Sequence, residues 1–398
     1  MKLLKDLTPL SSAKKIVYNY LSNYLKEINS VKSVNILNAL NKISAKEIKA
    51  PIDLPYFNKA SMDGYAVKAE NTFGASETNP IILDIVDRDE IYENEAKKIF
   101  TGEKLPKNAN AVVMEEFCNV VNGFLEVYRS VHPNENVSKI GEDVKHGDVI
   151  LKKGEIITPY HLNMLASLGI KEVEVYTLSF GIITTGDELV DLDSVDINKD
   201  FDHLISKGKI INSNSYMLYG LVKNLGFTAK IYNIVEDKKQ SLKRAIKLAL
   251  KENDVLLITG GSSVSDRDIT VETVEEMGKI LVHGVNIRPG KPFGFGVVEN
   301  KPVFMLSGYP VASAVQFELF VSRYFKKRKK ITLPLKRNIA SELGRVDFVR
   351  VKVDREVEPI RITGSGVVSS LTRCDGYVLI PENVEGYEKG DLVDVYLI

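Results

Sequence analysis

Two stretches of this 398-residue chain end an apolar run in Thr, Gly, Ser and carboxylate: GIITTGDELV from Gly181 to Val190, and LLITGGSSVSDRDIT from Leu256 to Thr270. A glycine where an apolar run stops lets a ligand approach the main chain, and the N–H groups beyond it form an anion-binding nest or a helix N-terminus. Thr185, Gly186, Gly260 and Gly261 are therefore candidates to cradle phosphate, with Ser262, Ser263 and Ser265 supplying hydroxyl donors. Carboxylates coexist with phosphate when a hard divalent cation lies between them, so Asp187, Glu188 and Asp268 are candidate ligands for Mg²⁺. The same acidic residues also suit the first turn or the cap of a helix. Neither stretch is GxGxxG or GxxxxGK[ST], so neither signs for a dinucleotide or for ATP.

Two further segments extend the set. HGVNIRPGKPFGFG presents Arg288, Pro289 and Lys291 on a rigid Pro-Gly-Lys-Pro turn suited to anchoring an anion, and FMLSGYPVASAV ends a strand at Ser307 and Gly308 before Pro310 opens a helix. Elsewhere, LPYFNKASMDGYAV places Asn58, Ser61 and Asp63 between apolar flanks. FTGEKLPKNANAVVMEE offers Thr101 and Gly102, and GED places Glu142 and Asp143 at a junction. Five histidines show no ligand spacing, which leaves oxygen chemistry as the natural reading for any metal.

The elements that must carry these residues follow from periodicity. Residues 171–330 alternate apolar strands with 10–15-residue helices, the pattern of a parallel three-layer α/β domain whose functional surface lies beyond the strand C-termini. Residues 55–140 read as short alternating strands, a β-rich insert. On either side, residues 11–28, 34–49 and 159–168 have helical spacing, so 1–54 and 141–170 are expected to form one discontinuous helical linker domain. Residues 331–398, with short strands and Gly turns, suggest a small β-barrel. The run KKRKK at 326–330 is expected to be a solvated helix end. Equal numbers of basic and acidic residues, 53 each, argue against general nucleic-acid affinity. No stretch approaches the ~18 apolar residues of a membrane span, and two unrelated cysteines suggest no disulfide framework. A cytoplasmic protein is expected.

Taken together, the motifs resemble the molybdopterin molybdenumtransferase family, which includes the gephyrin E-domain, over essentially the whole length. LPYFNKASMDGYAV is similar to the family's LPxFdnSaMDGYA, ITTGDELV to its STGDEL, VLLITGGSSVSDRDIT to its GGxSxGxxD element and VNIRPGKPFGFG to its PGKP element. FTGEKLPKNANAVVMEE, GRVDFVR and GSGVVSSLTRCDGYVLIPEN match further family stretches.

The resemblance implies the four-part architecture above and a homodimer whose cleft is shared between subunits. It implies insertion of molybdate, or tungstate, into adenylylated molybdopterin with release of AMP in the presence of Mg²⁺. It further implies transient contact with the molybdopterin adenylyltransferase and with acceptor molybdo- or tungstoenzymes. Its functional carboxylates fall on Asp63, Asp143, Glu188, Asp237 and Asp268, its Thr on Thr101 and its Lys on Lys291. A gephyrin-type scaffold and a related adenylyltransferase are the alternatives. The chain departs from the family pattern at Ser265, where Gly is usual, at Tyr309 in SGYP, where PGNP is usual, and at Asn58-Lys59.

Overall fold

The computed structural model describes residues 7–28, 30–260, 268–360 and 366–398. Its contacts divide the chain into two compact units, one of residues 47–152 and 159–171 and one holding the rest.

The first unit is built on strands β1 (Gly64–Val67), β2 (Ile81–Ile85), β3 (Glu95–Ile99), β4 (Ala111–Met114), β5 (Cys118–Val121) and β6 (Phe124–Val127). They lie in the order β4-β1-β3-β2-β6-β5, antiparallel except for the parallel pair β2–β3. Tyr65, Val67, Leu83, Ala96, Val113, Leu125 and Val127 form its core, the inward set of a period-2 pattern. The insert therefore has the strand-rich character that its alternating runs suggest.

The second unit centres on strands β7 (Ser179–Thr184), β8 (Thr228–Ile231), β9 (Val255–Thr259), β10 (Lys279–His283), β11 (Gly294–Val298) and β12 (Lys301–Leu306). Their order is β8-β7-β9-β12-β11-β10; the first four are parallel and β11 runs against its neighbours. The sheet is thus mixed rather than wholly parallel. Because β8 and β9 flank β7 on opposite sides, the chain reverses direction there, and a crevice opens beyond the carboxyl ends of β7 and β9.

Helices cover both faces: α1 (Leu10–Glu27), α2 (Ile197–Ser206), α3 (Asn214–Asn224), α4 (Lys239–Glu252), α5 (Ile269–Met277) and α6 (Pro310–Phe317). Residues of α1, α3 and α6 share one apolar cluster with Phe180, Phe293 and Phe304. Those of α4 and α5 share the opposite one with Ile183, Ile258 and Met305.

This packing changes the expected linker. Leu10, Ala13, Val17, Leu21 and Leu25 face the α/β core, so α1 belongs to that unit, whereas helix Pro159–Ser167 belongs to the other. Nor is 34–49 a helix. Val31–Asn35 pairs antiparallel with Glu172–Tyr176, Ile36–Asn38 makes one 3-10 turn, and Ile48–Lys49 pairs with Val149–Leu151. Long-range strand pairing has overridden local helical spacing.

In the C-terminal segment, β13 (Lys330–Pro334), β14 (Val346–Val353), β15 (Gly376–Ile380) and β16 (Leu392–Leu397) form a sheet ordered β14-β15-β16-β13. Ile287–Arg288 adds to β14 in parallel, setting Arg288 beside Asp347. Among the described residues the path stays open, a half-barrel rather than the closed barrel expected.

After α6 the helix widens into a π-turn over Glu318–Ser322, and the basic run follows. It is not simply solvated. The Arg328 side chain is only 5% exposed and forks onto Glu318 through Nε at 2.8 Å and Nη2 at 2.5 Å.

Candidate active site at the ends of the central strands

The crevice beyond β7 and β9 is a cleft of about 510 Å³ lined by Thr184, Thr185, Glu188, Asn212, Asn214, Asp237, Thr259, Gly260, Tyr309 and Pro310, among others. Its walls are stitched by main-chain bonds: Thr185 N donates to Thr259 O at 2.9 Å and Val235 N to Thr184 O at 2.9 Å. Gly260 adopts φ +97°, and Gly186 +154°. The Glu188 carboxylate folds back over Gly186, with Oε1 2.8 Å from where a Cβ would sit.

Two of the acidic candidates meet here. Glu188 and Asp237 both line the cleft, and the Thr185 hydroxyl donates to Asp237 Oδ1. Asp187 instead pins the turn: its Oδ1 accepts from Asp237 N at 3.2 Å, its own N–H donates to Asp237 Oδ2 at 3.4 Å, and Lys209 Nζ donates to its carbonyl. Asp268 caps α5, accepting from Val271 N at 3.0 Å. Burial pushes its carboxyl pKa up, against the pull of the Val271 amide and of His283. Among the described residues no group of three Asp, Glu, His or Cys side chains is placed to hold a metal ion. Among the described residues Asp187, Glu188 and Asp268 thus do not gather into one group: Glu188 lines the cleft, Asp187 holds the turn to Asp237 and Asp268 caps α5. Gly261, Ser262, Ser263 and Ser265 lie outside the described residues.

A second, larger cavity of about 1350 Å³ lies between the Pro289–Pro292 turn and the C-terminal sheet. Arg288, Pro289, Lys291, Ser307, Tyr309, Arg345 and Arg350 line it, and Tyr309 borders both cavities. Arg288 lines the cavity and shares its guanidinium: Nη2 is held by Asp347, buried beside it. Lys291 is exposed and has no ion pair among the described residues. Arg350, 4% exposed, leaves Nε and Nη1 without partners among the described residues, and burial pushes its guanidinium pKa down to about 10, so it still carries charge at neutral pH.

Sequence reasoning passed over Arg350 because it sits inside an ordinary strand pattern, VDFVRVKV. It also passed over Asn214, whose Nδ2 donates to Gly308 O at 2.7 Å and to Thr259 Oγ1 at 3.2 Å. A buried-side-chain position occupied by Arg was the one available signal.

In the other unit, Asp63 Oδ1 accepts from both the amide and the hydroxyl of Thr101, each at 2.7 Å. These two donors, the hydroxyl first, hold its carboxyl below the usual range. Gly102 completes the same turn with φ +90°. Asp143 is exposed, and its N–H donates to Leu54 O at 3.0 Å.

Three family models match the chain: "MoeA N-terminal region (domain I and II)" over 8–169, "Probable molybdopterin binding domain" over 181–327 and "MoeA C-terminal region (domain IV)" over 332–398. A Methanocaldococcus jannaschii chain named for molybdopterin biosynthesis is 76% identical over 399 residues, covering 100% of both chains. The chain belongs to the MoeA family. A molybdopterin molybdenumtransferase of Staphylococcus aureus is 33% identical over 390 residues, 92% of this chain and 90% of that one. The MoeA protein of Pyrococcus horikoshii superposes with a TM-score of 0.82 at 35% identity, over 99% of this chain and 100% of the other. Within the MoeA matches, Asp63, Thr101 and Asp143 fall in the N-terminal region, and Glu188, Asp237 and Lys291 in the middle one.

Proposed function

We propose that the chain is a molybdopterin molybdenumtransferase, which takes adenylylated molybdopterin and molybdate or tungstate, transfers the metal to the dithiolene and releases AMP. The observation that carries this reading is the pairing of two cavities at Tyr309. One is lined by carboxylates and glycine backbone, the other by five cationic side chains, Arg288, Lys291, Arg337, Arg345 and Arg350, against two carboxylates, Glu342 and Asp347.

An oxyanion is repelled by bare carboxylates and attracted by Lys291 and Arg350, so the larger cavity suits it. The smaller cleft suits the phosphate-bearing ligand, whose oxygens can approach the bare backbone of Gly260, while the Glu188 carboxylate lies over Gly186. Mg²⁺ belongs to this reading. Such ions are held by one or two carboxylates together with substrate phosphates; Glu188 would supply one from the cleft, with Asp237 beside it, whose oxygens also accept from the Thr185 hydroxyl and the Asp187 amide. When bound, the ion offsets phosphate charge.

Asp63, kept ionised by Thr101, is ready to orient a water or a donor group. The reading includes a cytoplasmic homodimer in which Asp63, Thr101 and Asp143 of one subunit complete the cleft of the other. It also includes brief contacts with the adenylyltransferase that supplies the substrate and with the acceptor enzymes.

Incubating the full chain with adenylylated molybdopterin, Mg²⁺ and molybdate or tungstate, and following AMP and metallated cofactor separately, tests the activity. Both products should appear together. AMP release without metal transfer would overturn the assignment.

A further inference from the structure

Gln316 lies on α6 between Val315 and Phe317, is 0% exposed and lines neither cavity. Its neighbours in sequence are core hydrophobics, so an apolar side chain would serve packing equally well, while a buried amide is costly unless fully bonded. Here both ends are used. Oε1 accepts from Ser307 N at 2.7 Å, and Nε2 donates to Gly290 O at 2.7 Å. The amide's orientation follows, because a main-chain N–H only donates and a carbonyl only accepts.

Both partners are loop groups that border the larger cavity: Gly290 immediately precedes Lys291, and Ser307 lines the same space. The approach is close. Gly290 has φ +116°, and a Cβ there would lie 3.1 Å from Gln316 Cγ and 2.9 Å from Ile287 Cδ1.

The bonds continue beyond Ser307. Its carbonyl accepts from the Thr259 hydroxyl at 2.9 Å, and that hydroxyl accepts from Asn214 Nδ2 in the smaller cleft. A buried chain of hydrogen bonds thus runs from Asn214 through Thr259, Ser307 and Gln316 to Gly290, joining the walls of the two cavities.

We propose that Gln316 is a positioning residue for the oxyanion: it fixes the Lys291-bearing turn against Ser307, and through Ser307 against the cleft that holds the nucleotide end of the substrate. This rests on the molybdenumtransferase reading. It adds that the geometry of the oxyanion cavity is set from behind, by an amide that does not touch the ligand.

The test is steady-state kinetics on the full chain, with the wild type as reference. If the wild type neither releases AMP nor transfers metal, the functional reading fails, whatever Gln316 does. Given an active wild type, Gln316→Met keeps the side-chain volume and removes both bonds. The expected result is a rise of about tenfold in the molybdate KM, from the loss of two buried hydrogen bonds. The KM for adenylylated molybdopterin should stay within about twofold, because a loss confined to one substrate's site moves that substrate's KM alone.

A general loosening of the fold would move both constants. Gln316→Asn keeps the amide but is one methylene too short to bridge Ser307 and Gly290, and it reads the same split should Gln316→Met not fold. An unchanged molybdate KM, or equal changes in both KM values, would overturn the proposal.

Discussion

A methyl group on Gly260 would sit 1.9 Å from the carbonyl oxygen of Thr185, closer than two unbonded heavy atoms can lie. The same glycine has φ +97°, which L side chains rarely adopt. Bare backbone just past β9 is therefore what lets the ends of β7 and β9 close into one cleft.

Gly260→Ala should push these strand ends apart and weaken binding of the phosphate-bearing ligand, with a stability loss of at least about 1–3 kcal/mol from backbone strain alone. Gly220, inside α3 with nothing within 4 Å of its would-be Cβ, supplies the contrast. Gly220→Ala should raise stability by about 0.5–1 kcal/mol, as expected of a helix interior. Urea titrations of both variants check the opposite signs, and equal shifts would remove the steric argument.

The Asp63–Thr101 contact predicts a pH effect. The carboxyl pKa is depressed in the folded state, so the ionised form persists as pH falls and is lost only when pH drops through that lowered value. Thr101→Val deletes the hydroxyl donor but keeps the amide, so the pKa rises toward its ordinary value. The acid limb of the kcat/KM profile should move to higher pH, and superimposable limbs would exclude Asp63 as the group that sets it.

Much of this arrangement is legible in the sequence because it is local. The strand-to-turn runs ending at Thr185, at Gly260 and at Gly308 carry their own punctuation, and the switch point needs only the strand order to bring them together. What could not be read depends on partners remote in the chain. The segment 34–49 has helical spacing but is recruited by strands more than a hundred residues away, at 172–176 and 149–151. Asp187 and Asp268 have the chemistry of metal ligands, yet one holds the Asp237 turn and the other caps α5, and composition cannot show which donor arrives. Arg288 likewise gives one guanidinium nitrogen to Asp347 from the C-terminal sheet, a partner nothing in its own segment announces.

The basic run tests the same point energetically. Arg328 and Glu318 are 5% and 9% exposed, and Tyr377 adds a hydrogen bond to Glu318 Oε1 at 2.9 Å. Burial alone would raise the Glu318 pKa; the Arg328 guanidinium overrides it and holds the group ionised. Arg328→Met should cost about 3–5 kcal/mol, because it strands a buried carboxylate. Adding Glu318→Gln to that variant should recover most of the loss. Substituting exposed Lys327 or Lys329 should leave the melting temperature within about a degree of wild type, in line with the small effects of surface positions.

Arg350 should behave in the opposite way. Its guanidinium is buried with Nε and Nη1 unpartnered among the described residues, and the drop of its pKa to about 10 reflects the cost of keeping that charge out of water. A fold selected for stability alone would not retain it; a cavity that must receive an oxyanion would, since strain of this kind collects at functional sites. Arg350→Met should therefore hold or raise the melting temperature while raising the molybdate KM by at least about tenfold, the share of one charged hydrogen-bonding group. Thermal melts and molybdate titrations on the same preparation decide it. A destabilised variant with normal molybdate dependence would make Arg350 part of the scaffold and leave Lys291 as the cavity's cation for the oxyanion.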